Sequence, residues 1–221
     1  IGIKDSNGNV STLGEMVSAV DKDFSVLVGT AGALFGALTL GAVGGVLALA
    51  NVAPKACVRI LNLVKKGFMV FAFDPVGQGE RIEYLDTNTG RSILGGPTKE
   101  HSYPATQAFI TGSSQARYMI WDGIRAVDYL LARKEVDPSR IGITGRSGGG
   151  TQSAYIAAVD DRILAAAPEN YITNFTRLFQ SIGPQDAEQN ISKLIVNGLD
   201  HPDFLIVRAP KPTMMITTTR D

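Results

Sequence analysis

The residues best suited to chemistry lie in the stretch "GRSGG", residues 145–149, which fits the pattern G-x-S-x-G around Ser147. The apolar residues 141–144 before it predict a buried strand, and "TQSAYIAAV" after it predicts a helix. A serine on a sharp strand-to-helix turn presents its hydroxyl for attack on an acyl carbon. This context therefore predicts a nucleophile elbow at Ser147.

Small neighbours and free amides are the other requirements of such a turn. The strand and helix backbones pass close together, and we expect Gly145 and Gly149 to supply the room. Because the helix begins just after Ser147, its first amides point at the reacting centre, and the N–H of Gly148 is the expected first oxyanion donor. A phosphate-binding loop is the alternative, but the stretch lacks the lysine of G-x-x-x-x-G-K-[ST].

The acid of the expected triad follows the serine in this fold, and the histidine follows the acid. The stretch "TMMITTT" predicts the last strand, and Asp221 comes just beyond it, where a carboxylate can orient an imidazole. A solvent-exposed aspartate is the alternative interpretation. Glu169, just after the predicted strand "ILAAAP", is a second candidate for the acid.

The histidine is the member of the triad that the sequence does not identify. The chain has two histidines, His101 and His201, and both precede Asp221. Each is interpreted as a structural or pocket-lining residue, and His101 is kept as a candidate base or pocket residue. We therefore expect the isolated chain to be weakly active or inactive.

Strands and helices alternate along the chain, which predicts an α/β fold with a mostly parallel sheet and helices on both faces. Asn7-Gly8 indicates a hairpin turn, "FSVLV" and "FMVFAFD" indicate buried strands, and "VRILNLVKKG" indicates a helix. Residues 75–114 predict a long loop, and an amphipathic helix follows with Tyr118, Trp121 and Tyr129 among its inner positions. Two further helices are predicted in "YITNFTRLFQSI" and "AEQNISKLIVNGL".

Residues 24–54 form an unusually apolar segment, since no charged residue occurs between Asp23 and Lys55. The segment reaches the length of a membrane-spanning helix, and small residues recur at every fourth position from Gly29 to Gly45. The other interpretation is a core strand, turn and helix of an α/β domain, because six glycines lower helix propensity. Membrane association through this segment is therefore one of two open interpretations.

Composition limits the classes of function. The chain has 221 residues, enough for one domain with a single core, and a formal net charge of zero. No basic patch points to nucleic acid as a partner. Cys57 is the only cysteine and lacks neighbouring metal-ligand spacing, so we expect a buried structural thiol.

Several longer stretches resemble one bacterial group of α/β-hydrolases, described as acetyl xylan esterase-like or carbohydrate esterase-like. They are "FMVFAFDPVGQGER", "RIGITGRSGGGTQSAYIAA", "AAPENYITNF", "IGPQDAEQN" and "RAPKPTMMITTTRD". Dienelactone hydrolases and prolyl oligopeptidase-type domains are similar at a greater distance. The interpretation is a single α/β-hydrolase domain over residues 1–221, with the family-matching region at 58–221.

The resemblance implies a Ser-His-Asp ester hydrolase without a metal or organic cofactor, acting on acetyl or other short acyl esters of carbohydrates. Ser147 takes the place of the nucleophile and Asp221 that of the acid, while Thr30 or Ala31 would supply the second oxyanion N–H. The resemblance also favours an exported or periplasmic protein, and leaves the oligomeric state open.

The chain departs from the family pattern at two places. More than twenty apolar residues separate "FSVLVGTAG" from the matching helix at Leu61, and the family's histidine lies beyond the acid. We therefore expect a hydrolase domain truncated at both ends. A prolyl oligopeptidase-type peptidase and an inactive, membrane-associated hydrolase fragment are the alternative functions.

Overall fold

The computed structural model describes residues 1–7, 9–30, 33–46, 54–181, 183 and 185–217. The chain divides into two compact units, Ile1–Ala72 and Phe73–Asp221. Sequence analysis predicts one domain with a family-matching region from residue 58, whereas the boundary between the units falls inside that region. Parallel strands occur with helices in both units, so the predicted α/β fold is confirmed.

The first unit contains a parallel sheet in the order β1-β2-β3. Its described elements are β1 (Gly2–Asp5), α1 (Val10–Ala19), β2 (Ser25–Val28), α2 (Leu34–Thr39), β3 (Gly44–Gly45) and α3 (Pro54–Lys65). The strand predicted in "FSVLV" and the helix predicted in "VRILNLVKKG" are confirmed as β2 and α3.

The hairpin predicted at Asn7-Gly8 is wrong. Strand β1 pairs with β2 in parallel, with Ile3 opposite Val26, and helix α1 connects them. The side chain of Asn9 accepts hydrogen bonds from the N–H groups of Ser11 and Thr12 and so caps α1. This helix cap stabilises a crossover connection in place of a tight turn.

The apolar segment 24–54 supplies most of the core of the first unit wherever it is described. Its buried side chains pack with Leu13 of α1, and they are Val26, Val28, Ala33, Leu34, Ala37, Leu38 and Ala42. Helix α2 has six residues, and among the described residues no helix is long and apolar enough to cross a membrane. The core interpretation is therefore confirmed for the described part, and residues 47–53 lie outside it.

The second unit contains the predicted strand-turn-helix around Ser147. Its helices and strands are β4 (Leu85–Asp86), β5 (Arg91–Ser92), α4 (Pro97–Ile110), α5 (Gln115–Leu131), β6 (Gly142–Arg146), α6 (Gly148–Val159), β7 (Ala165–Glu169), α7 (Phe175–Ser181) and α8 (Asp203–Ile206). Short 3-10 helices lie at Gly79–Arg81, Ala187–Gln189 and Ile195–Asn197. Strands β6 and β7 are parallel, with Arg146 opposite Glu169 at their carboxyl ends.

The segment around residues 213–216 extends the β6-β7 sheet. Met214 donates its N–H to the carbonyl of Ala166, and Ile216 donates to that of Pro168. Isolated parallel bridges join this segment to β7, so the predicted last strand is present as an irregular one. It runs alongside β7 towards the edge of the sheet where Ser147 lies.

Three further predicted features, one at the boundary between the units and two in the second unit, are wrong. The stretch "FMVFAFD", residues 68–74, is not a strand, and Phe68 and Phe71 are exposed. A continuous apolar run is consistent with a buried strand but does not by itself specify strand pairing. The helices predicted in "AEQNISKLIVNGL" are two short 3-10 helices. The long loop predicted over residues 75–114 contains helix α4.

Because residues 75–114 are rich in turn-forming residues, the sequence did not predict helix α4. Pro97 occupies its first turn, where a missing N–H costs nothing, and Pro104 lies in its interior. On α5 the buried face also differs from the prediction, because Tyr118, Trp121 and Tyr129 are about half exposed. The buried positions of α5 are Gln115, Ala116, Met119, Gly123 and Val127, most of them small enough for close helix packing.

Candidate active site

Ser147 occupies the turn between β6 and α6 with a strained backbone, at φ 56° and ψ −118°. Residues other than glycine rarely adopt a positive φ, and such strain persists only where the surroundings enforce it. The N–H of Ser147 donates to the carbonyl of Glu169 at 2.9 Å, and its own carbonyl accepts from the N–H of Thr151 at 2.9 Å. The neighbouring strand and the first turn of α6 therefore both hold the serine in the conformation expected of a nucleophile elbow.

Close backbone approaches fix two glycines beside this turn. A Cβ atom on Gly145 would lie 2.4 Å from the carbonyl oxygen of Gly149, and one on Gly150 would lie 2.3 Å from that of Glu169. A Cβ atom on Gly149 would meet nothing within 4 Å. The close approach of the backbones at the turn therefore requires glycine at Gly145, as predicted. It also requires glycine at Gly150, whereas the prediction named Gly149.

Gly148 is the first residue of α6, a helix of 12 residues. The first N–H groups of a helix have no partner within it and carry the positive end of the helix dipole. The amide of Gly148 is thus placed next to Ser147, where negative charge develops during acyl transfer. This placement agrees with its predicted role as first oxyanion donor.

Glu169, the second candidate for the acid, follows the last buried position of β7. Its carbonyl anchors the amide of Ser147, while its carboxylate oxygen Oε1 lies 3.9 Å from Nε of Arg146. The carboxylate is largely buried and Arg146 is largely exposed. The backbone carbonyl of Glu169 thus holds the turn at Ser147. Its role as the acid of the triad remains a prediction.

His101 is buried in α4 and faces Glu188, which lies in the 3-10 helix Ala187–Gln189. His101 Nδ1 and Glu188 Oε1 are 3.4 Å apart, close enough for an ion pair. Neither ring nitrogen of His101 makes a hydrogen bond to the described residues. On its other side the ring packs against Gly77, where a Cβ atom would lie 2.9 Å from His101 Cδ2.

Glu188 connects this pair to the elbow, and sequence reasoning missed it. Its Oε1 would lie 3.9 Å from a Cβ atom placed on Gly148. Glu188 is buried, and its charge helps to raise the pKa of the neighbouring Asp186, after partial desolvation of that carboxyl. The signal available in the sequence was a pair of carboxylates in "GPQDAEQN", a stretch otherwise treated as a helix.

His201 is a buried structural residue in this arrangement. Its Nδ1 accepts a hydrogen bond from the N–H of Thr173 at 3.3 Å, and its ring stacks on Tyr171 at 4.7 Å. Burial lowers the pKa of His201, although the charge of Asp200 opposes this effect. These contacts agree with the structural interpretation of the sequence.

The remaining sequence candidates are either outside the described residues or part of the first unit. Asp221 and Ala31 are outside the described residues. Thr30 follows β2 in the first unit, where its hydroxyl donates to the carbonyl of Ser6 at 2.9 Å. Cys57 is a free, half-buried thiol packed against the core of the same unit, and the described residues contain no cluster of metal-ligating side chains.

One solved structure supports the fold of this chain. The crystal structure of a Bacteroides fragilis protein assigned as an acetyl xylan esterase aligns with a TM-score of 0.58 and 19% sequence identity. The alignment covers 70% of this chain and 41% of that protein. At this identity the comparison supports the α/β-hydrolase architecture and nothing finer.

Two curated relatives match different parts of the chain. YtaP of Bacillus subtilis, named as a hydrolase, is 33% identical over 102 residues, which are 46% of this chain and 29% of YtaP. A Pyrococcus furiosus protein named as a DapA-like lyase is 41% identical over 68 residues, which are 30% of this chain and 23% of that protein. The chain therefore spans less than a third of the length of either relative.

Family models also match the chain in two parts. The dihydrodipicolinate synthetase family matches residues 1–73, which nearly coincide with the first unit and include Thr30 and Ala31. The sequence reasoning did not identify this similarity, although the apolar insertion that it noted before Leu61 lies within the matched residues. The acetyl xylan esterase (AXE1) model matches residues 51–197, about two thirds of the chain, including the whole of the elbow at Ser147. The chain belongs to the acetyl xylan esterase family.

Proposed function

We propose that the second unit carries the nucleophile of a serine carboxylic-ester hydrolase that removes acetyl or other short acyl groups from carbohydrates. The observation that carries this proposal is the strained backbone of Ser147 between β6 and α6. Ser147 is also exposed, so its hydroxyl is accessible to an ester. The family match and the esterase assignment of the Bacteroides fragilis protein favour an acylated carbohydrate as substrate.

The reaction begins with attack of Ser147 Oγ on the carbonyl carbon of the ester. The N–H of Gly148 stabilises the negative charge on the carbonyl oxygen, a contribution typically worth about 3 kcal/mol for one donor. The C–O bond then breaks, the alcohol leaves with the proton of the serine, and the acyl group stays on Ser147. Water hydrolyses the acyl-serine and restores the hydroxyl.

A histidine must carry the proton between Ser147, the leaving alcohol and the attacking water. Asp221 keeps its proposed role as the carboxylate that orients this histidine. Glu169 is the alternative acid, because it is the last residue of the neighbouring strand β7. The identity of the base is left open in this proposal.

The test compares the chain with Ser147→Ala in the hydrolysis of 4-nitrophenyl acetate and of acetylated xylan. A second assay treats both proteins with a fluorophosphonate and locates the modified residue by peptide mass spectrometry. We expect labelling at Ser147 and loss of all enzyme-dependent turnover in Ser147→Ala. Ser181→Ala, which removes a hydroxyl bonded only to its own helix, is the control.

Turnover that survives in Ser147→Ala would overturn the nucleophile assignment. A panel that adds 4-nitroanilides of short peptides separates an esterase from the prolyl oligopeptidase-type alternative. We expect acetyl esters to be cleaved and anilides not. The reverse preference would replace the esterase by a peptidase on the same fold.

A further inference from the structure

A buried acidic side chain lies beside the residue that must stabilise an oxyanion. Glu188 Oε1 would lie 3.9 Å from a Cβ atom on Gly148, and the side chain of Glu188 is only 7% exposed. A buried carboxylate that lacks compensation is costly in itself. It would also repel the negative charge that the amide of Gly148 is expected to stabilise. The site therefore needs a compensating group next to Glu188.

His101 is placed to be that group. Its Nδ1 is 3.4 Å from Glu188 Oε1, and its side chain is 4% exposed. The imidazole is thus the described side chain within ion-pair distance of the buried Glu188 carboxylate. The ring is fixed from behind by Gly77, where no side chain could fit without displacing it.

The pair also joins three elements of the second unit. His101 belongs to α4, Glu188 to the 3-10 helix Ala187–Gln189, and Gly148 to the first turn of α6. Glu188 Oε2 and both nitrogens of His101 have no hydrogen-bond partner among the described residues. The approach of His101 Nδ1 to Glu188 Oε1 is the polar contact between the two side chains.

We propose that His101 and Glu188 form a positioning pair, which holds the 3-10 helix against the first turn of α6 and keeps the Gly148 amide aligned for oxyanion binding. Glu188 acts on the turn directly, and His101 acts through Glu188. The inference rests on the proposed esterase function and assigns to His101 a role other than that of the general base.

The chain offers matched controls for both residues. Glu100 is equally buried, but its carboxylate accepts from the N–H groups of Glu83 and Tyr84 and from the hydroxyl of Ser92. It therefore stabilises the β4-β5 hairpin. His201 is the other buried histidine and contacts Thr173 and Tyr171. Glu100→Gln and His201→Gln therefore change buried side chains of the same types. Their contacts do not include the His101–Glu188 pair.

The first experiment measures amide hydrogen exchange in Glu188→Gln, His101→Gln and the two controls. The N–H of Ser147, bonded to Glu169, reports opening of the elbow, and the N–H of Ala166, bonded to Pro212, reports opening of the sheet. We expect exchange at Ser147 to become about tenfold faster relative to Ala166 in both pair variants, and unchanged in the controls. A ratio within about twofold of the wild-type value in both pair variants would overturn the proposal.

The second experiment measures kcat and KM for 4-nitrophenyl acetate. We expect kcat to fall about tenfold or more in each pair variant with little change in KM, because the lost interaction acts on the transition state. The double variant should fall no further than either single one, since breaking one side already breaks the pair. Independent, additive losses would contradict a joint role.

The two experiments distinguish failure of this inference from failure of the esterase proposal. If Ser147→Ala retains wild-type turnover, the nucleophile assignment fails, while the exchange ratio still decides whether the pair holds the turn. If turnover depends on Ser147 but neither kcat nor the exchange ratio responds to the pair variants, the esterase proposal stands and the positioning pair is rejected.

Discussion

The amide of Ser147 is hydrogen-bonded to the carbonyl of Glu169 at 2.9 Å, which ties the candidate nucleophile to the end of the neighbouring strand. Gly150 packs against the same carbonyl, since a Cβ atom there would lie 2.3 Å from its oxygen. One carbonyl therefore fixes both the turn and the first turn of helix α6. The strained conformation of Ser147 depends on this junction.

Gly150→Ala should destabilise the second unit, because the new methyl group must displace the backbone of Glu169. Overpacking of this kind costs about 1–3 kcal/mol. Gly149→Ala is the matched change, since its methyl group meets nothing within 4 Å and alanine favours a helix over glycine by about 1 kcal/mol. Thermal unfolding should show a lower Tm for the first variant and an equal or higher one for the second. Equal losses in both would show that the contact with Glu169 does not limit the turn.

Arg208→Met should be strongly destabilising. The buried guanidinium donates to the carbonyls of Ala157, Ile163 and Leu164, and burial lowers its pKa. Removing it leaves buried carbonyls without donors, which costs about 2–4 kcal/mol in total. Arg125→Met, which removes a largely exposed guanidinium paired with Asp128, should change stability by less than about 1 kcal/mol. Urea denaturation of both variants measures the difference, and a loss for Arg208→Met as small as the control's would contradict the assignment.

Tyr155→Phe should loosen the segment that carries Glu188. The buried hydroxyl of Tyr155 donates to the carbonyl of Gln189 at 2.5 Å and contacts the hydroxyl of Tyr171 at 2.6 Å. Burial raises the pKa of Tyr155 to about 12, so the hydroxyl stays protonated and able to donate. Its loss should cost about 1–2 kcal/mol, whereas the half-exposed Tyr118→Phe should be near neutral. Urea denaturation measures both, and equal stability of the two variants would exclude a bond of this strength.

His201 should make the stability of the chain depend on pH below neutrality. Burial lowers the pKa of His201 in the folded state, so the unfolded chain binds more protons. The contribution is present in full above the unfolded pKa of about 6.5 and is lost as the pH falls towards the folded pKa. The free energy of unfolding, measured by urea denaturation across this range, should decline less steeply in His201→Gln. Identical slopes in the two proteins would show that His201 titrates alike in both states.

The strand-turn-helix at Ser147 was predictable because its determinants are local. The consecutive residues "IGITGRSGGG" contain a strand, a tight turn where two backbones pass close together, and the start of a helix. The assignment of Gly149 was wrong for a non-local reason, since the close approach involves Gly150 and the carbonyl of Glu169, on another strand. The spacing of residues along the sequence does not predict that contact.

The chain's own sequence determined the α/β class, strand β6, helix α6 and the placement of Ser147 between them, because periodicity and turn chemistry act over a few residues. Only the tertiary structure decided where the apolar stretches lie: the described part of residues 24–54 supplies core of the first unit, while Phe68 and Phe71 are exposed. It also brought Glu188 to Gly148 and His101, from positions about 40 and 87 residues away in sequence. Such contacts form because distant chain segments pack against one another. The order of residues along the chain does not predict that packing.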